Sequence, residues 1–142
     1  MTPEQIEIVK ENFNQIALLA DDVATEFYRR LFQIDASLRP MFKEDLTEQK
    51  KKLMMMLKFA IGTLDRMDVF EPSLEALGRK HVAYGVRETH YETVGSALIL
   101  TLRKVLGVAL TAHLEAAWIA AYTLIAGTMC RAASAAQAQT SG

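Results

Sequence analysis

The side chain in this sequence that is best suited to bind a ligand or take part in a reaction is that of His81, within residues 73–86. Leu74, Leu77 and His81 recur at helical spacing, so they share one face of a short amphipathic helix. Gly85 is expected to end that helix because glycine adopts the left-handed conformation at low cost. A histidine on an apolar face is either a core residue with a satisfied hydrogen bond or a metal ligand. The helix by itself leaves both interpretations open.

The other two histidines do not extend this pattern into a known metal-binding motif. His90 lies near a predicted helix start and His113 lies in the first turn of the last predicted helix, so both are expected at the surface. The sequence has no His-Glu-x-x-His motif, no Cys-x-x-Cys motif and no glycine-rich phosphate loop. A site built from several protein ligands is therefore not expected. A single inward histidine suffices where a cofactor supplies the other ligands, as haem does.

Composition indicates one helical domain in a reducing compartment. The chain has 142 residues, of which 51% are hydrophobic, with only 7 Gly and 3 Pro to interrupt helices. A net charge of -1 gives no reason to expect nucleic acid as a partner. Cys130 is the only cysteine, so no internal disulfide can form. We expect a cytoplasmic protein without a membrane partner, since no signal peptide is evident and the apolar run 116–130 is short for a membrane span.

Apolar periodicity predicts helices throughout, and capping residues predict where several of them begin. Thr2 and Gln5 form a candidate capping box, Asp21 or Asp22 can cap a second helix over residues 23–32, and Asp45 or Thr47 can cap a third that ends near Leu64. Residues 65–68 are predicted to be a loop, and the helix that carries His81 is expected to begin after Pro72.

The last two helices have similar signals. Thr89 and Glu92 form a second candidate capping box for a long helix that ends at Gly107, and Thr111 can cap the final helix. The run Lys50 to Lys52 on the third helix is interpreted as a solvated face. Phe42 follows Pro40 in a connection, where a large aromatic side chain should be covered by something.

The chain resembles the globin family over almost its full length, particularly single-domain bacterial globins, flavohaemoglobin-type globin domains and neuroglobin. The motifs that carry the resemblance are Phe27-Tyr28-x-x-Leu31-Phe32, Leu38-Arg-Pro-x-Phe42, Leu77-Gly78-Arg79-Lys80-His81, Gly85-Val86, Tyr91, Val94-Gly95, Leu98 and Ala116-Ala-Trp118-x-x-x-Tyr122. The resemblance implies the all-α globin fold, with eight helices around a haem pocket. The globin domain would span residues 1–131, and residues 132–142 are expected to be a frayed tail.

The resemblance also implies roles for individual residues. His81 corresponds to the proximal iron ligand, Phe42 to the aromatic that packs on the haem, Gln49 to the distal position and Tyr28 to the distal tyrosine of many bacterial globins. An alternative for Tyr28 is a core residue whose hydroxyl is satisfied by the backbone. The further residues expected to contact the cofactor are Leu53, Leu57, Leu77, Val86, Tyr91 and Val94.

Two positions depart from the family patterns. Gln49 stands where many animal globins have a histidine, so closure of the sixth iron position by a distal histidine is not available there. Tyr91 matches the tyrosine of a proximal network in flavohaemoglobin-type domains, but the glutamate of that network falls at Ala133. The network is therefore expected to be incomplete in this chain.

Three functions remain open from the sequence. The first is reversible binding of O2, and of NO and CO, by haem b under hydrogen-bond donors from Tyr28 and Gln49, which suits scavenging or sensing. The alternative is nitric oxide dioxygenation to nitrate with a separate reductase, in which Tyr28 and Gln49 would be the catalytic groups. The third is a cofactor-free helical partner domain, which the visible spectrum of the purified protein would identify.

Overall fold

The amphipathic periodicity of the sequence is expressed as six α-helices and three short 3-10 helices. The computed structural model describes the backbone of residues 1–141 and the side chains of residues 1–136, and no strand occurs in that range. The α-helices are α1 (Pro3–Ile16), α2 (Ala20–Ile34), α3 (Thr47–Gly62), α4 (Met67–Ala83), α5 (Glu88–Leu106) and α6 (Ala112–Ser141). The all-α class is confirmed, but three connections form 3-10 turns instead of completing eight α-helices: Ala17–Leu19, Ala36–Met41 and Gly107–Ala109.

Several helix boundaries follow the predicted local chemistry. The Thr2 hydroxyl accepts a hydrogen bond from the Gln5 amide at 3.1 Å, and the Gln5 side chain accepts one from the Thr2 amide at 3.0 Å, which completes the capping box. The Thr111 hydroxyl accepts from the Leu114 amide at 3.1 Å at the start of α6. Gly107 ends α5 with a φ of 54°. The Asp45 carboxylate accepts from the Thr47 amide at 3.0 Å in the turn before α3, but Leu46 is the residue at the helix start, so neither predicted residue is its cap.

The predicted start of α4 is wrong. The helix begins at Met67, so residues 67 and 68 are helical and Pro72 lies inside the helix. A proline in that position removes one backbone donor. The earlier start completely buries Phe70, which is 0% exposed, and this packing outweighs the local signal of Pro72.

Two predicted caps are also wrong. α2 begins at Ala20, which places Asp21 and Asp22 in its first turn, where their charges face the positive end of the helix. α5 begins at Glu88 instead of after Thr89, because the Nδ1 atom of His90 accepts a hydrogen bond from the Arg87 amide at 2.9 Å. The His90 ring therefore accepts a capping hydrogen bond of the kind that the predicted capping box assigned to the Glu92 side chain.

The core forms where α4 packs on α6, α2 on α5, and α1 on α6. Trp118 of α6 is 1% exposed, and its indole Nε1 donates to the Asn12 side chain of α1 at 2.9 Å. This bond satisfies two polar groups that burial would otherwise leave unpaired. It also fixes the register of the first helix against the last.

α6 continues to Ser141, beyond the predicted end of the globin domain near residue 131. The side chains after residue 136 and the backbone of Gly142 lie outside the described residues, so fraying of residues 132–142 stays a prediction. Among the helices described, none has a stretch long and apolar enough to cross a membrane.

Candidate functional site

His81 lies in the last turn of α4 with its imidazole held in one orientation. The Nδ1 atom is 2.7 Å from the backbone carbonyl oxygen of Leu77. Because a carbonyl oxygen only accepts, Nδ1 is the donor, and the neutral ring then carries its lone pair on Nε2. This is the tautomer that a metal-binding histidine uses when its second nitrogen is fixed by the backbone. If His81 were only a core residue with a satisfied hydrogen bond, that bond would explain Nδ1 but would leave Nε2 without a partner in the part of the chain that the structure describes.

The backbone after His81 is fixed by a Schellman motif. Gly85 has a φ of 84°, its amide donates to the Val82 carbonyl at 3.0 Å, and the Val86 amide donates to the His81 carbonyl at 3.0 Å. Gly85 therefore ends the helix as predicted. Val86 follows at once and is half-buried.

Gly78 sets how closely the segment that carries His81 approaches α6. A Cβ atom at Gly78 would overlap the carbonyl oxygen of Met129 and would lie 2.8 Å from its Cα. Only glycine allows this contact between two backbones. The position of His81, one turn further along α4, therefore depends on a residue that has no side chain.

Tyr28, Phe42 and Gln49 come together from three separate parts of the chain, namely α2, a connection and α3. Tyr28 is 4% exposed, and its ring centroid lies 5.6 Å from that of Phe42 in an edge-to-face arrangement. Its hydroxyl lies 3.5 Å from the backbone carbonyl oxygen of Gln49. Burial raises the pKa of the Tyr28 hydroxyl above its usual range, and a hydrogen bond with the Gln49 side chain opposes this shift without cancelling it. The group is therefore a neutral donor near pH 7.

Phe42 is held by two residues that the sequence analysis did not assign to the site. The Phe32 ring lies 5.6 Å from the Phe42 ring, centroid to centroid. The Arg39 guanidinium donates to the carbonyls of Lys43 at 2.9 Å and Glu44 at 2.8 Å, and lies 5.2 Å from the centroid of Phe32. Phe32 lies one helical turn after Tyr28, and this spacing could have predicted that both rings face the same site. No local pattern marks Arg39.

The Tyr91 hydroxyl is buried without a hydrogen-bond partner among the described residues. Burial raises its pKa to about 12, and the proximity of Cys130 adds to the shift. The Tyr91 carbonyl accepts a hydrogen bond from the Tyr122 hydroxyl, which ties α5 to α6. The half-buried residue at the predicted glutamate position, Ala133, offers the Tyr91 hydroxyl no side-chain acceptor. The Tyr91 hydroxyl thus has no acceptor among the described residues, and position 133 holds an alanine in place of the glutamate of the network.

The other residues expected to contact a cofactor differ in burial. Leu53, Leu77 and Val94 are half-buried and pack against the edge of the core, whereas Leu57 belongs to its interior.

Two surface grooves lie away from these residues. One of about 570 Å³ separates α4 from α6 beside Glu75 and Arg131, and one of about 470 Å³ separates α5 from α6 beside Ile119. Neither groove is lined by His81, Tyr28 or Gln49.

The chemistry of these residues fits haem. A haem-binding site needs one nitrogen with a free lone pair, apolar side chains to cover the ring, and, for polar gases, a donor on the second side. His81 Nε2 has the lone pair, and Tyr28 supplies a neutral hydroxyl beside the Phe42 ring. Within the described side chains, no group of three or more His, Cys, Asp or Glu residues could hold a metal ion.

Comparison with known proteins agrees with this chemistry. The model of the family described as Globin matches residues 25–129. The flavohemoprotein of Bacillus subtilis is 32% identical over 126 residues, covering 85% of this chain, but the chain spans only 31% of that relative. Neuroglobin of Danio rerio is 30% identical over 118 residues, which cover 73% of this chain and 74% of the relative.

Structural similarity extends over the whole domain. A bacterial globin from Campylobacter jejuni superposes with a TM-score of 0.83 and 26% sequence identity, covering 94% of this chain and 96% of that one. The family match includes His81 and the helices on either side of it. Membership of this family implies a haem-binding protein that takes gaseous ligands. The chain belongs to the globin family.

Proposed function

We propose that this chain binds haem b through His81 and takes up O2, and also NO and CO, on the side of Tyr28 and Gln49. Haem, when bound, supplies the iron that holds such diatomic gases. The observation that carries the proposal is the 2.7 Å contact between His81 Nδ1 and the Leu77 carbonyl. It fixes the ring and leaves Nε2 as the one imidazole nitrogen in the chain that combines a lone pair with an apolar helix face.

The Tyr28 hydroxyl supports a role as donor to a bound gas. Its 3.5 Å separation from the Gln49 carbonyl is well beyond the 2.5–3.0 Å range of a good O–H···O bond. Turning the hydroxyl away from that carbonyl therefore forfeits little. A hydrogen bond to a charged acceptor is worth about 1.5–3 kcal/mol. Oxygen that gains negative charge on binding would then leave roughly 10- to 100-fold more slowly.

Gln49 is the second candidate donor. It lies in the first turn of α3 and is half-buried, and its side chain lies close enough to Tyr28 to affect the pKa of that hydroxyl. Two donors would retain oxygen strongly. Strong retention suits scavenging, sensing or a reaction of the held gas better than bulk delivery.

The second candidate is nitric oxide dioxygenation to nitrate. The same two donors would hold oxygen until nitric oxide arrives, and Tyr28 and Gln49 would then act as the catalytic groups. The similarity to flavohemoprotein, of which this chain spans 31%, supports a separate reductase as electron source. Gas binding alone needs no such partner, so this dependence separates the two candidates.

A haem titration of the purified, cofactor-free chain tests the main proposal. We expect a Soret band that saturates at one haem per chain and shifts when CO is added to the reduced protein. A spectrum that remains that of free haem would reject the proposal. For the second candidate, nitric oxide decay and nitrate formation are measured with a reductase and NADPH. Decay at the same rate without the chain would reject dioxygenation while leaving gas binding intact.

A further inference from the structure

The outer face of α3 combines exposed apolar side chains with unpaired positive charge. Met55 is 70% exposed and Phe59 is 45% exposed, one helical turn apart. Lys51, Lys52 and Lys58 surround them and are exposed as well. We call these five residues the lysine face. Large apolar side chains grouped on a surface mark an interaction site more often than scattered ones do.

The charge of the lysine face is not neutralised locally. α3 contains four lysines and one glutamate, a net charge of +3 in a chain whose total is -1. Among the side chains that the structure describes, the ion pairs involve Lys10, Arg29, Arg30, Arg103 and His113. Lys51, Lys52 and Lys58 are in none of them. A partner complementary to this face must therefore be acidic.

The same helix connects the lysine face to the candidate site. Leu53 and Leu57 pack into the core on the inner side of α3, which lies against α1 and α2. The half-buried Gln49 lies one helical turn before Leu53, on the same side of the helix. An α-helix with its side chains is about 10–12 Å across. A protein docked on the outer face would thus be separated from the distal residues by one helix.

We propose that the lysine face docks an acidic electron-donor protein, one that carries a reduced flavin or an iron–sulfur cluster. The inference rests on the proposed haem binding and names the electron donor that the second candidate function, nitric oxide dioxygenation, requires. In the docked pair one electron passes from the reduced partner to haem iron(III), which gives iron(II) and the partner oxidised by one electron. No bond is made or broken.

An acidic protein fits the face better than an anionic membrane. A helix that lies in a membrane surface sinks a broad apolar face into the lipid. The inner face of α3 is already used by the core, and the outer face offers only Met55 and Phe59. A small apolar centre inside a charged rim is instead typical of a protein interface.

The test uses an acidic flavodoxin as the probe and measures its binding to the complete chain, with and without haem, by calorimetry at low salt. The variant carries Lys51→Glu and Lys58→Glu. The matched control carries Lys80→Glu and Lys104→Glu, two exposed lysines on α4 and α5, and has the same net charge. We expect the variant to bind at least about tenfold more weakly, and the control to change by less than about twofold. Wild-type binding should also weaken as salt is raised.

A second readout is the rate at which reduced flavodoxin reduces the haem-loaded ferric chain. The variant should be slow with flavodoxin but unchanged with dithionite, a small reductant that needs no docking. Equal losses in variant and control, no wild-type binding at low salt, or a preference for anionic vesicles over flavodoxin would each overturn the proposal. Haem uptake and gas binding by the variant are measured separately, so failure of the docking surface is distinguishable from failure of the proposed function.

Discussion

The Tyr28 hydroxyl and the Gln49 carbonyl oxygen are 3.5 Å apart, which leaves the hydroxyl with a long internal hydrogen bond. Tyr28→Phe removes that hydroxyl and keeps the ring packed against Phe42. If the hydroxyl is recruited by a charged gas, the oxygen off-rate should rise at least about tenfold. Carbon monoxide gains much less charge and is the internal control. Stopped-flow dissociation of both gases measures the difference. An equal increase in the off-rates of oxygen and carbon monoxide would mean that Tyr28 acts by steric hindrance and not by donating a hydrogen bond.

The Gln49 amide should act on the same acceptor. Gln49→Leu should also speed oxygen dissociation, and the double variant with Tyr28→Phe should show less than the product of the two single effects, because the donors share one acceptor. The same stopped-flow measurement gives the coupling. Strictly multiplicative effects would mean that Tyr28 and Gln49 act at separate places.

His81→Gly should abolish stable haem retention, because the other two imidazoles are committed elsewhere. His90 accepts the Arg87 amide at the start of α5, and His113 lies at the surface 3.4 Å from a carboxylate oxygen of Glu4. Added imidazole should restore the spectrum by filling the space of the lost ring. An unchanged spectrum without imidazole would show that His81 is not the ligand.

Phe42→Ala should accelerate haem loss without changing the axial ligand. The half-buried ring would forfeit about 1.5–3 kcal/mol of burial at most. Transfer of haem to an excess of an acceptor globin measures the loss. Phe59→Ala, which removes an exposed ring from the outer face of α3, is the control and should leave the transfer rate unchanged.

Tyr91→Phe should stabilise the cofactor-free chain by about 1 kcal/mol, because a buried hydroxyl without a partner is removed. The gain should widen above pH 10. The Tyr91 pKa is about 12 in the folded chain against an ordinary value of 10.0, so the unfolded chain loses its proton first and wild-type stability falls as the pH rises. Urea unfolding at about pH 8 and about pH 10.5, on either side of that ordinary value, measures both effects. Tyr84→Phe, at an exposed position, should change neither.

Gly78→Ala should destabilise the fold by about 1–3 kcal/mol, because its methyl group would overlap the Met129 backbone, which cannot move aside as a flexible side chain could. Gly62→Ala is the matched control within a helix. No atom lies within 4 Å of its new Cβ, so it should be neutral or stabilising by up to about 1 kcal/mol. Thermal unfolding of the two variants compares them directly, and equal stabilities would contradict the close contact.

Features set by neighbouring residues could be predicted from the sequence. The capping box of Thr2, the cap by Thr111 and the helix end at Gly85 each depend on a few adjacent groups, and all are present. The resemblance to globins, and not local chemistry, predicts that Tyr28, Phe42 and Gln49 lie together, and the roles of these residues stay predictions.

Features set by distant parts of the chain could not be predicted. The start of α4 depends on burial of Phe70 in the core, to which several helices contribute. The contact between Gly78 and Met129 joins residues from different helices. Without a structure, glycine at position 78 is only a weak point in a helix, and nothing nearby indicates what it touches.

The buried bond between Trp118 and Asn12 has an optical consequence. Trp118 is the only tryptophan in the chain, and it is 1% exposed in a fixed setting. A chain of this length has a radius of gyration of about 14 Å, so a haem held anywhere inside it lies within the range of resonance energy transfer from the indole. The intrinsic fluorescence of Trp118 should therefore report haem binding without a label: the emission is quenched on haem uptake and recovers on haem loss.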